Sequence, residues 1–217
     1  MVSSDDINVT KRNGRGKESL NIEKIHSMVG FATEGITGVS ASHVEMNSGL
    51  QFFDGISTDD IQQILIKSAN DLISLDNPNY QFVAARLLLF SLRKNLFHRL
   101  WEHPKFIDHI KNLIDLGLYD KGILENYTEA EVDRMGMWID HERDYSFTYA
   151  GLRQVIDKYL VQDRSTGEVY ETPQFMYMMI SATLFAKYPK ESRLQYVKKY
   201  YDACLLYTSD AADEKYR

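Results

Sequence analysis

The chain has a single cysteine and four prolines in 217 residues, and its cations are outnumbered, with 25 Lys and Arg against 31 Asp and Glu for a formal net charge of -6. Each shortage excludes something. No apolar run reaches the roughly 18 residues that a membrane-spanning helix needs. The N-terminus carries Asp5 and Asp6 and has no apolar core of the secretory kind, so the expected compartment is cytoplasmic. An acidic balance argues against broad nucleic-acid binding, because affinity for a phosphate backbone needs a basic face. The lone Cys204 says nothing about redox compartment and cannot contribute to a thiolate metal set. His98 and His103 are five apart, which on a helix turns them about 140° from each other, so zinc has no credible ligand spacing. What remains, 44% hydrophobic and 12% aromatic residues, fits a globular, mainly α (α+β) chain holding one large domain, or a small one joined to part of another.

Against that acidic background, Val9 to His26, "VTKRNGRGKESLNIEKIH", gathers Lys11, Arg12, Arg15, Lys17 and Lys24. Ile7 and Val9 alternate with polar residues, Asn13 and Gly14 suit positive φ angles, and the chain returns through Glu18 and Leu20, a short β-hairpin pattern. Asn21 then caps a helix with Ile22, Ile25, Val29 and Ala32 on one stripe and Gly35 near its end. A weaker helix is expected from Ser40 towards Leu50. The run Ser57 to Asp60 caps a third, with Ile61, Ile64, Leu65, Ser68 and Leu72 on one face. Asn77 and Pro78 open a fourth, Pro78 at the first helical position, burying Phe82, Ala85, Leu89 and Leu92 and leaving Arg86, Arg93 and Lys94 along another side.

From about residue 101 the texture becomes longer, aromatic-rich amphipathic pieces. Thr172 caps a helix begun by Pro173, and Pro189 starts the next. "YLVQDRSTGEVY" predicts a second hairpin turning at Gly167. Asp140, Glu142 and Asp144 read as a solvated helix end or loop, and Met176, Met178 and Met179 as core packing. The tail "CLLYTSDAADE", Cys204 to Glu214, neither continues the helical pattern nor reads as a cap. Back-translated, it looks like an in-frame transposase adapter from a sequencing library. The native chain is therefore expected to end near Ala203 as a truncated fragment.

Cations on a Gly-containing hairpin set just before a helix N-terminus can surround phosphates with charge and backbone N–H donors. A solvated basic loop is the alternative, and spacing alone does not decide between them. The segment matches neither "GxxxxGK[ST]" nor "GxGxxG".

"VTKRNG", "ESLNIEKI", "DGISTDDI" and "AARLLLFSLRK" together resemble an ATP-cone, the regulatory nucleotide-binding domain of many ribonucleotide reductase large subunits. "HERDYSFTYAGLRQVIDKYLVQDRSTGEVYETPQFMYMMIS" and "YPKESRLQYVKKYYDA" resemble the helical opening of a class I reductase α subunit. The resemblance implies a cone at 1–100, with a hairpin lid over a four-helix unit. The helical start of the catalytic region would follow at 101–203, and the foreign tail at 204–217. It implies ATP or dATP, with magnesium, as allosteric effector. Lys11, Glu18, Ser19, Leu20, Asn21, Ile22, Glu23, Lys24, Thr58 and Lys94 are the positions that match the family's nucleotide contacts. In that mapping Lys11, Lys24 and Lys94 supply charge to a triphosphate, Asn21 and Thr58 neutral hydrogen bonds, and Glu18 an acceptor for adenine or ribose.

Two departures, a hairpin one residue longer than in close relatives and Gln62 where some relatives have histidine, leave inhibition by dATP open. The implied parent is an oxidoreductase that makes deoxyribonucleotides for DNA replication. It would be a homo-oligomer working with a radical-generating small (beta) subunit and with thioredoxin or glutaredoxin. None of its cysteine chemistry lies within this sequence, so no catalytic residue is assigned. The competing classes are a non-enzymatic ATP-cone regulator and a helical interaction module.

Overall fold

The computed structural model describes residues 7–11, 16–49 and 51–213, with side chains as far as Cys204. The chain divides into two compact units, 1–91 with 148–152, and 92–147 with 153–217. The predicted turn at Asn13 and Gly14 lies outside the described residues.

In the first unit, β1 (Asn8–Thr10) and β2 (Lys17–Ser19) pair antiparallel with Val9 opposite Glu18. The Lys11 amide donates to the Gly16 carbonyl at 3.1 Å, and Gly16 takes a φ of 105°, which glycine adopts without a Cβ penalty. The other edge of β1 is also paired. Gly55 N donates to Asn8 O and Thr10 N to Ile56 O, and Thr10 bridges Ser57 in parallel. Asp54 Oδ1 accepts from both the backbone and the side-chain amide of Asn8 at 2.8 and 3.1 Å, which holds the Asp54 carboxyl below its usual range. The Asp54–Ser57 loop thus ties the hairpin to the start of a helix.

Four helices follow: α1 (Ile22–Thr33), α2 (Ala41–Gly49), α3 (Thr58–Asp71) and α4 (Tyr80–Phe97). Ile25, Val29, Ala32, Val44, Leu65, Ala69, Val83 and Leu87 are buried among them, each larger side chain contributing about 1.5–3 kcal/mol of transfer free energy. Ile22 does not join the stripe predicted for it. It is half exposed, and the rest of the first turn of α1 through Lys24 is exposed too. Arg86 closes the end of α1, donating to Glu34 O at 2.6 Å where the helix leaves carbonyls unpaired. Pro78 is not in α4. Asn77, Pro78 and Asn79 form a turn whose carbonyls accept from Gln81 and Phe82, and the helix begins at Tyr80.

α4 is the largest departure from the sequence reading. Val83 to Ala85 and Leu87 to Arg93 are all buried, whereas Phe82 is only partly so, and Arg93, expected along a polar side, is 1% exposed. A helix buried on every side has no amphipathic period to reveal which charge points inward.

In the second unit lie α5 (Phe106–Asp115), α6 (Gly122–Asn126), α7 (Glu129–Trp138), a 3-10 segment (His141–Ser146), α9 (Pro173–Phe185) and α10 (Lys190–Asp213). α8 (Tyr149–Lys158) belongs to this unit from Arg153 onward. Thr128 and Glu131 form a capping box on α7, and the Glu131 carboxylate also receives Arg193 at 2.6 and 2.9 Å, with the guanidinium over the Tyr127 ring at 4.3 Å. Gly136 lets α7 approach α5, since a Cβ there would meet Phe106 Cβ at 3.2 Å.

The second hairpin forms one bridge, Gln162 to Val169, with Gly167 at φ 75°. Met176 and Met178 are buried as predicted while Met179 is only partly so, and Pro173 opens α9, but Thr172 caps it without a side-chain bond, its hydroxyl being buried. The helical pattern, which the sequence does not lead one to expect beyond Cys204, continues in the backbone. The backbone of α10 stays helical to Asp213, and the tail's leucines and alanines, without Gly or Pro, sustain that helix.

Candidate functional site

The cationic surface is assembled by the hairpin and the helix that leaves it. β2 ends at Ser19, Leu20 N donates to Ile7 O at 2.8 Å, and Asn21 turns the chain into α1 by accepting the Lys24 amide on Oδ1 at 2.9 Å. Ile22 and Glu23 form the exposed first turn of α1, where the acidic Glu23 suits the positive end of the helix dipole. With Lys24 anchored as the third residue of α1, its ammonium lies 4.0 Å from Glu18 Oε1, while the Lys11 ammonium lies 3.1 Å from Glu18 Oε2. One carboxylate therefore stands between two ammoniums, each facing a different oxygen. The lysine side chains are 50% and 71% exposed and the glutamate 39%.

Thr58 is the first residue of α3. Its predecessor Ser57 accepts the Asp60 amide at 3.0 Å and donates to Asp60 Oδ2 at 2.7 Å. Because Thr10 pairs with Ser57, the start of α3 is held alongside the strand that leads into Lys11. The structure thus brings Lys11 and Lys24 to Glu18, and it holds the start of α3, where Thr58 lies, beside the strand that leads into Lys11. Lys94 stands on the last turns of α4, in the second unit, and Arg12 and Arg15 lie outside the described residues. Gln62 is 2% exposed, and its amide donates to the Leu87 carbonyl at 2.9 Å, joining α3 to α4 from within the core.

The second unit holds buried polar groups that the sequence reading missed or misplaced. Asp144, read as solvated, is the buried residue of the 3-10 segment. Gln174 donates to its Oδ1 at 2.8 Å, Arg93 lies 3.6 Å from Oδ2, and burial pushes its carboxyl up to about 7. Arg93 also donates to His141 O at 2.6 Å and to the Tyr145 hydroxyl at 3.1 Å, and the Tyr201 hydroxyl donates to Gln174 Oε1 at 2.5 Å. Beside it the rings of His103 and His141 stack at 3.6 Å, and His109 stacks on Phe175 at 4.3 Å. Burial holds His103 and His109 down to about 4 and His141 to about 2, so all three are neutral imidazoles. Among the described residues no group of three or more His, Cys, Asp or Glu gathers in a way that could hold a metal ion, and no helix is long and apolar enough to cross a membrane. The buried groups bind α4, the 3-10 segment, α9 and α10 together, which is a structural task.

Comparison with known proteins places both units. Residues 7–95 match the ATP cone domain family, and residues 145–206 match the ribonucleotide reductase all-alpha domain family. The chain thus joins a nucleotide-effector domain to a helical reductase domain. It is 50% identical over 195 residues to the alpha subunit of ribonucleoside-diphosphate reductase 1 of Escherichia coli and to the reductase alpha subunit of Haemophilus influenzae, in each case over 90% of this chain. To the alpha subunit of Enterobacteria phage T4 it is 42% identical over 91% of the chain. It belongs to the family of class I ribonucleotide reductase large subunits, and it spans about a quarter of the length of these relatives.

Proposed function

We propose that the first unit binds ATP or dATP as an allosteric effector of a ribonucleoside-diphosphate reductase. The observation that carries this reading is the convergence of Lys11 and Lys24 on one half-exposed point, Glu18, at 3.1 and 4.0 Å, beside two side-chain-capped helix starts. Ammoniums presented this way can turn to the phosphates of a nucleotide, and the side-chain amide of Asn21 and the hydroxyl of Thr58 offer hydrogen bonds to it. Ser19, Leu20, Ile22 and Glu23 follow Glu18 along the chain and complete the proposed contact set, to which the family resemblance adds Lys94. Magnesium would arrive on the phosphates, since this cation keeps most of its waters and binds chiefly through substrate oxygens.

In the same reading the whole protein is a cytoplasmic homo-oligomer. It reduces ribonucleoside diphosphates for DNA synthesis, with a radical from a small beta subunit and electrons from thioredoxin or glutaredoxin. The chain here supplies the effector site, and no nucleic acid or membrane is a partner.

Calorimetry and thermal denaturation of the 217-residue chain with ATP and dATP test the proposal. Saturable heat and a rise in melting temperature that grows with nucleotide concentration are expected. No heat and no thermal shift at millimolar nucleotide would leave a helical interaction module with a solvated basic hairpin.

A further inference from the structure

We infer that Glu18 is a selectivity gate that makes bare polyphosphate a poor ligand for this surface, an inference that rests on the nucleotide-binding reading above. Both ammoniums that a phosphate chain would seek are already turned to this one carboxylate, Lys11 on Oε2 and Lys24 on Oε1. All three residues are held from the backbone. Glu18 sits in register opposite Val9, the Lys11 amide is bonded to Gly16, and the Lys24 amide is capped by Asn21. An entering anion must therefore separate two ion pairs sharing one acceptor, and it leaves a carboxylate with acceptor oxygens only beside its own negative charge.

An inorganic polyphosphate offers that carboxylate nothing in return. A nucleotide carries hydrogen-bond donors on its base and sugar, and these can take the place of the lysines on Glu18 while the lysines turn to the phosphates. The gate thus couples phosphate capture to the presence of a nucleoside without needing a closed pocket.

The test compares wild type with Glu18→Gln in the 217-residue chain, titrating tripolyphosphate and ATP by calorimetry at one fixed ionic strength. Gln keeps the shape and hydrogen-bonding capacity but removes the charge. The expected result is a gain of about three- to tenfold in tripolyphosphate affinity with ATP affinity lower, because the nucleoside loses its charged acceptor, so that preference for ATP contracts by at least about threefold. In a Lys11→Ala background the same Glu18→Gln change is expected to give a smaller gain for tripolyphosphate, because one of the two clamped partners is already gone. An unchanged ratio, whether both ligands gain equally or neither moves, overturns the gate while leaving nucleotide binding intact. A wild-type chain that binds neither ligand overturns both readings.

Discussion

The chain handles charge in two opposite ways. On the hairpin of the first unit, Lys11, Glu18 and Lys24 meet near water, where ion pairs contribute on the order of 0–1 kcal/mol to folding and can be exchanged for a ligand. In the second unit, Arg93 and Asp144 are 1% exposed each and are wired into Gln174, Tyr145 and the His141 carbonyl, where breaking a pair strands a charge in the interior. The difference teaches how to sort the charges of this protein. Exposed, mutually compensating ions are available for binding, and buried, hydrogen-bonded ones hold helices in place.

The comparison breaks most visibly at Arg93. Arg93→Met is expected to destabilise the second unit by about 3–5 kcal/mol in chemical denaturation, because Asp144 is left without its cation. Adding Asp144→Leu should recover much of that loss, since an apolar pair has no charge to strand. If the single substitution cost no more than a surface change, the buried network would be incidental.

Acid provides the next test. His103 and His109 remain neutral in the folded state to about pH 4 but take protons near 6.5 when unfolded. Their stabilisation is therefore complete above 6.5 and lost as pH falls towards 4. His141 follows the same sign to still lower pH. Asp144 has the opposite sign. Its carboxyl takes a proton at about 7 when folded and near 3.8 when unfolded, so its contribution improves as pH falls through that window. Each fully shifted group changes stability by about 1.4 kcal/mol per pH unit, and with three histidines opposed by the buried carboxyls of Asp144 and Glu171 the expected profile falls between pH 6 and 4. Asp144→Asn should steepen the slope, and a flat profile in urea denaturation across that range would refute the neutral-histidine account.

On the hairpin the same side chain should behave differently in two assays. Lys11→Ala is expected to weaken triphosphate binding by about 1–3 kcal/mol in calorimetry while shifting folding stability by no more than about 0.5 kcal/mol. Asn21→Ala lies between these extremes. Losing the cap on the Lys24 amide should cost about 1 kcal/mol of stability, and a binding loss beyond that would mean the α1 start contacts the ligand directly.

Legibility in the sequence followed the same division. The hairpin, the caps at Asn21 and Ser57, and the stripe of Ile25, Val29 and Ala32 could be read because each depends on neighbours a few residues away. The clustering of charge was visible for that reason too, since Lys11, Glu18 and Lys24 lie within fourteen positions of one another, but its reading as a nucleotide site came from the family resemblance and not from spacing. Arg93 and Asp144 could not be sorted into core or surface, because both are charges in segments whose partners are 30 to 52 residues distant. Gln62 looked like a variable helix position until its bond to Leu87 placed it in the core. The stacking of His103 on His141 had no signal in spacing, since it joins the loop before α5 to the 3-10 segment.

By itself, the sequence determined the order of elements and the cationic character of the hairpin, both of which depend on local propensity and on charges close in the chain. Only the tertiary structure decided which charges lose their water, because desolvation depends on packing by elements remote in sequence. The same packing decided that Glu18 engages two lysines, one from the hairpin and one from α1, a contact that needs both the strand register and the angle at which α1 leaves it.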